Sequence, residues 1–148
     1  MADKAVIGSD HGGVELKAFL IQLLNDRGVA VEDVGCYSSD SCDYPDFARK
    51  VAQKVLDEAP SGTIGILVCG TGIGMSMTAN RIPGIRAALC TNGYMAHMAR
   101  AHNDANVLCL GERVLGKGLA EGILDAFLSA KFEGGRHLRR IQAIEPDA

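Results

Sequence analysis

The stretch TIGILVCGTGIGMS, Thr63 to Ser76, passes from an apolar run into a cysteine and then into glycines at positions 70, 72 and 74. A short apolar run that ends in turn residues reads as a buried strand. Glycines at alternate positions read as a loop whose backbone N–H groups can come close to a ligand. Met75 to Arg81, ahead of Pro83, then reads as a helix. Cys69 stands where the strand opens into the loop. A thiol there is either reactive or part of the core, since free cysteine is a favoured core residue.

Working outward, the same alternation fills the chain. KAVIG at 4–8, AVEDV at 30–34, GIRAALC at 84–90 and ANVLCLG at 105–111 read as four further strands. Between the first two, Leu16, Phe19, Leu20, Leu23 and Leu24 carry a helical stripe. Gly28 stops that helix where a left-handed residue is favoured. YPDFARKVAQKVLDE reads as a second helix, with Asp43 as its cap and Pro45 in the first turn. Tyr94 to Ala101 and Leu119 to Leu128 complete the set. Strict alternation predicts one α/β, Rossmann-like domain: a five-stranded parallel sheet with helices on both faces. In such sheets ligands bind beyond the carboxyl ends of the strands, where Cys69 and its glycines fall.

Composition excludes several classes. The chain has 148 residues, 47% of them hydrophobic, and a formal charge of −3, as expected for one ordinary globular domain. Nothing in that balance suggests a nucleic-acid or membrane surface. The N-terminus MADKAVIGSDHGG does not read as a signal peptide. No apolar run approaches the roughly 20 residues that span a bilayer. The five cysteines, at 36, 42, 69, 90 and 109, form no C-x-x-C pair. That spacing argues against a zinc cage or a disulfide framework, and reduced thiols point to the cytoplasm. Cys90 and Cys109 read as core, Cys36 and Cys42 as loop or surface.

The glycine loop is G-x-G-x-G, not the dinucleotide G-x-G-x-x-G. Nor does any Asp or Glu occur between Ala59 and Asn103 to hold a ribose. GERVLGKG at 111–118 imitates a P-loop, but Gly118 stands where Ser or Thr would ligate magnesium. The acid-free stretch holds Arg81, Arg86, Arg100, His97 and His102, and GGRHLRR adds Arg136, His137, Arg139 and Arg140. Arginine forks with exposed N–H groups suit a phosphate. Proton-transfer candidates are Cys69, whose thiol a following helix would activate, and His102, just before the fifth strand. Asp10 and His11 end the first strand at the same sheet edge as Cys69. Each has a plain structural alternative: Cys69 as core, His11 as a helix cap, His102 on a loop carbonyl.

GSDHGG (8–13), DYPDFA (43–48), CGTGIGMS (69–76), TANRIPGIRAALC (78–90), HNDANVLCLGERVLG (102–116) and EGGRH (133–137) together resemble the B-type ribose-5-phosphate isomerase family. The resemblance runs from Ile7 to about Arg140, with Thr78 in place of the expected alanine. The wider family also holds allose-6-phosphate and galactose-6-phosphate isomerases. It implies a sugar-phosphate isomerase that uses neither metal nor nucleotide. Cys69 matches the base that moves a proton between C1 and C2, and His102 the acid that opens the sugar ring, with Thr71 assisting. The N–H groups of Gly70, Gly72, Ile73 and Gly74 match the cradle for the enediolate oxygen. Asp10, Tyr44 and Asn103 match holders of sugar hydroxyls, and His11, Arg113, Arg136 and Arg140 the phosphate and substrate grip. It further implies a homodimer, a tetramer being two such pairs, with the segment from about 131 to 148 reaching into the neighbour's site. Three alternatives stand beside this: an acyl- or phosphoryl-transfer enzyme with nucleophilic Cys69, a non-catalytic phosphosugar-binding module, and one subunit of a galactose-6-phosphate isomerase.

Overall fold

Successive residues of a strand point to opposite faces, so a sheet covered on both sides sorts each strand between two cores. The computed structural model, which describes residues 2–38 and 40–147, sorts its central strands in this way. Ala5 and Ile7 of β1 (Lys4–Ser9), Ile66 and Val68 of β3 (Ile64–Cys69) and Leu108 and Leu110 of β5 (Val107–Gly111) enter one core. Val6, Leu67, Cys69, Val107 and Cys109 enter the other. The first core is closed by α1 (Val14–Asp26), α4 (Gly93–Ala101) and α5 (Lys117–Ser129), and the second by α2 (Tyr44–Asp57) and α3 (Ile73–Ala79). Shorter, part-buried strands β2 (Ala30–Asp33) and β4 (Ala87–Leu89) form the edges. The order is β2-β1-β3-β5-β4, with every pair parallel, which is the single Rossmann-like α/β domain expected from the alternation.

The helix placement follows from handedness. Steps from β1 to β2 and from β4 to β5 run one way across the sheet and use α1 and α4. Steps from β2 to β3 and from β3 to β4 run the other way and use α2 and α3. Right-handed crossovers require this division between the faces.

Three local expectations change. Asp43 precedes α2 with extended backbone, but its side chain makes no cap hydrogen bond. α3 begins at Ile73, two residues before the expected start, because Gly72 takes up the turn. The C-terminal arginine cluster is itself a helix, α6 (Arg136–Ile144). Gly28 adopts the left-handed conformation expected of it (φ 74°). Thr78 fits α3 by donating its hydroxyl to the Gly74 carbonyl at 2.9 Å.

Candidate active site

β1 and β3 are neighbours whose chains leave in opposite directions, so a crevice opens beyond their carboxyl ends. Three segments meet there and are tied by backbone bonds. The Asp10 N–H donates to the Val68 carbonyl (3.2 Å), the Glu112 N–H to Cys69 (2.9 Å) and the Arg113 N–H to Gly70 (3.0 Å). Cys69 is buried, 5% exposed, and its Sγ accepts the Gly72 N–H at 3.1 Å. Gly72 stands at φ 81°, and a Cβ there would lie 2.6 Å from a Leu89 methyl, so only glycine fits this turn. A Cβ on Gly111 would meet the Thr71 backbone at 2.6 Å, so β5 presses directly on the loop. Thr71 is exposed and accepts the Ile73 N–H at 3.2 Å through Oγ1.

Around this loop stand four side chains of the expected site. Asp10 accepts the Gly12 N–H at 2.9 Å and caps the 3-10 turn His11–Gly13, so the capping role falls to Asp10 and not to His11. His11 Nδ1 lies 3.2 Å from the Cys42 nitrogen and 3.3 Å from its oxygen. The Tyr44 ring packs on Gly74, with Cε1 2.5 Å from where a Cβ would stand. The exposed Arg113 guanidinium lies along the same floor, Nη1 3.2 Å from a Cβ built on Gly70 and Nη2 3.7 Å from one on Gly12. Glu112 was invisible as a site residue in the sequence. Its Oε1 accepts the Leu16 N–H at 2.7 Å and so ties the end of β5 to the start of α1.

Cys42, Cys90 and Cys109 are held protonated. Burial first, then the neighbouring Cys36 thiol, pushes Cys42 up to about 11. Burial alone takes Cys90 to about 11, and complete burial carries Cys109 higher still. Cys36 lies in the loop after β2, as expected, but not at the surface: it is 7% exposed, and its Sγ donates to the Ser38 carbonyl at 3.1 Å.

The remaining expected residues lie elsewhere. His102 follows α4, which runs back to the amino end of β5. The Asn103 carbonyl accepts from Arg86 Nε at 3.0 Å, just before β4. Asn106 is level with the start of the sheet, since its N–H reaches the Arg86 carbonyl (3.0 Å) and its carbonyl accepts the Gly65 N–H (2.8 Å). From Gly65 to Cys69 the strand rises about 13 Å, at roughly 3.3 Å per residue. His102 and Asn103 therefore stand at the amino edge, not at a strand end neighbouring Cys69. α6 joins them there: Glu133 N–H donates to the Ala101 carbonyl (2.9 Å), and Gly84 N–H donates to Glu145 (3.0 Å). The His137 ring stacks on His102, centroids 4.1 Å apart and 14° from parallel. Burial, aided by His102 and Arg136, holds His137 below the usual histidine value. One chain thus gathers Asp10, His11, Tyr44, Cys69, the glycine loop and Arg113 at one edge, and His102, Asn103, Arg136 and Arg140 at the other.

The arginines also divide. Arg86 and Arg100 of the acid-free stretch bind Asp104, one residue beyond it, at 3.4 and 3.1 Å, and serve the fold. Arg113, Arg136 and Arg140 make no ion pair among the described residues and are exposed.

The family model for Ribose/Galactose Isomerase matches residues 5–144. Ribose-5-phosphate isomerase B of Escherichia coli is 48% identical over 141 residues, covering 95% of this chain and 93% of that protein. The crystal structure of a ribose 5-phosphate isomerase from Thermotoga maritima is 51% identical, with TM-score 0.94 and 99% of each chain covered. Ribose-5-phosphate isomerase B of Mycoplasma genitalium, solved with bound ribulose-5-phosphate, is 43% identical with TM-score 0.92, covering 98% of this chain and 97% of that one. The chain belongs to the ribose/galactose isomerase family. It is a sugar-phosphate isomerase of the aldose–ketose kind. Among the described residues no helix is long and apolar enough to cross a membrane.

Proposed function

We propose that the chain interconverts ribose 5-phosphate and ribulose 5-phosphate, and that each active site takes its carboxyl edge from one copy and its amino edge from a second. The observation that carries the first claim is Cys69, held at the mouth of β3 with the Gly72 N–H on its sulfur (3.1 Å). The second rests on the separation of the two groups across the sheet, together with exposed Ile73, Met77, Tyr94, Leu138 and Ile144, apolar side chains that a second copy would cover. The homodimer follows from that division; a tetramer would pair two such dimers.

In this reading His102 of a second copy protonates the ring oxygen while the anomeric hydroxyl loses its proton, and the sugar opens to the free aldehyde. The Cys69 thiolate then takes the proton from C2. The electron pair of that C–H bond becomes the C1–C2 double bond, and the carbonyl pair moves onto O1. The loop Gly70 to Gly74 supplies backbone N–H donors to this oxygen when substrate is bound, each donor of such a cradle being worth on the order of 3 kcal/mol. Return of the proton to C1, with transfer of the O2 proton to O1, yields the ketose. No oxidant or reductant is consumed. Thr71 assists at the loop, while Asp10, Tyr44 and Asn103 hold hydroxyls. His11 and Arg113 from one copy, with Arg136 and Arg140 from the other, take the phosphate.

The test is turnover by the purified chain on a panel of ribose 5-phosphate, allose 6-phosphate and galactose 6-phosphate. Conversion of ribose 5-phosphate with the highest kcat/KM supports the proposal. Preference for a six-carbon substrate overturns the substrate, and no turnover of any overturns the single-chain enzyme.

A further inference from the structure

At the amino edge, His102, Glu133 and His137 do more than neighbour one another. Both Nε2 atoms lie 3.5 Å from the same carboxylate oxygen, Glu133 Oε1. That is too long for a good N–H···O bond, which falls between about 2.7 and 3.2 Å. It is close to the edge of a tetrahedral metal site, because two bonds of about 2.1 Å at the tetrahedral angle place their ligand atoms about 3.4 Å apart. All three ligand atoms lie within 4.8 Å of one another, and binding one ion turns the part-exposed His102 ring out of its stack on His137, so that each Nε2 lone pair meets the metal in its own ring plane.

The surroundings are those of a built site. His137 is buried and its ring cannot wander, while His102 and Glu133 are part-exposed and open a path from solvent. The Glu133 N–H bond to Ala101 ties the carboxylate's backbone to the residue before His102. Two imidazoles and one carboxylate, with a fourth position open to water, match the ligand preference of zinc and cobalt over magnesium or calcium.

We propose that His102, Glu133 and His137 bind one divalent transition cation per chain, of the zinc or cobalt class, and that its binding reversibly stops isomerisation by occupying Nε2 of His102. The inhibition rests on the role given to His102 above; the binding does not.

Cobalt(II) titrated into tag-free protein separates the two. The expected result is one ion per chain, with a visible spectrum of nitrogen and oxygen ligands and no thiolate charge-transfer band. Glu133→Gln and His137→Asn should each weaken binding by more than the roughly 10–100-fold typical of losing an outer partner. Glu133 is 55% exposed, so its variant tests the site even if the buried His137 variant folds poorly. In the wild type, activity should fall at least tenfold as the ion saturates and return with a chelator. Equal affinity in Glu133→Gln, a thiolate spectrum, or no binding would overturn the site. Binding at the three residues with undiminished turnover would keep the site and overturn the role of His102.

Discussion

The two edges of the sheet are built by different means. At the carboxyl edge the backbone makes the site: the Gly72 N–H holds the Cys69 sulfur, and Gly72 and Gly111 lie where any Cβ would strike neighbouring groups at 2.6 Å. At the amino edge side chains make it: a stacked histidine pair, a carboxylate, and exposed arginines on α6, which buries only His137. A backbone-built cradle suits a charge that develops on one oxygen during reaction. A side-chain-built grip suits a phosphate that is already charged when it arrives. On the proposed reading the contrast makes these edges two half-sites of different chemistry, and each can be broken separately.

The largest expected effect is at the carboxyl edge. Cys69→Ala should lower kcat by about 10²–10⁴-fold, as loss of a general base does, while substrate still binds by calorimetry. Near-normal turnover would return Cys69 to the core it also lines. At the amino edge, His102→Asn should slow turnover of ribose 5-phosphate on the order of 10²-fold. Solvent exchange of the C1 proton of ribulose 5-phosphate, which stays open-chain because the O5 that would close its ring carries the phosphate, should suffer much less. Equal losses in both assays would contradict ring opening.

Smaller effects test how the edges are made. Gly111→Ala must displace the Thr71 backbone and should cost about 1–3 kcal/mol in denaturant unfolding, with activity lost alongside. Gly122→Ala, within α5 where a Cβ meets nothing within 4 Å, should instead stabilise by about 0.5–1 kcal/mol. If both changes act alike, close approach is not what fixes the loop. The smallest effect is that of pH. Burial keeps His137 below its ordinary value of 6.5, so the folded state resists the proton more than the unfolded chain does. Its contribution is therefore full above pH 6.5 and is lost as the pH falls through the folded value. Melting temperature should decline over that range, and His137→Asn should flatten the decline.

The carboxyl edge was legible because its residues directly follow strands: Asp10 after β1, Cys69 at the end of β3, Arg113 after β5. Its exposed donors announce themselves as glycines. The placement of His102 was legible too, since a residue that precedes a parallel strand must stand at the amino edge. Motif matching groups residues by role and says nothing of which end they occupy. α6 was hidden for a different reason. Leu138, Ile141 and Ile144 have helical spacing, but Leu138 and Ile144 remain about half exposed, so no partner within the chain explains them. The arginines of the acid-free stretch misled because Asp104, which binds Arg86 and Arg100, lies just past its end. Glu112 gave no signal at all, since its bond to the Leu16 N–H joins residues 96 apart in sequence.

The central claim, that the two edges meet only between copies, is tested most directly by mixing two inactive variants, Cys69→Ala and Arg136→Ala. After subunit exchange, verified by native mass spectrometry, about half the dimers are mixed. Each mixed dimer has one site with both defects and one with neither. Roughly a quarter of wild-type activity should return if sites act independently. No recovery, with exchange demonstrated, would mean that Cys69 and Arg136 serve the same chain's site and that the division across the sheet is not the division of the enzyme.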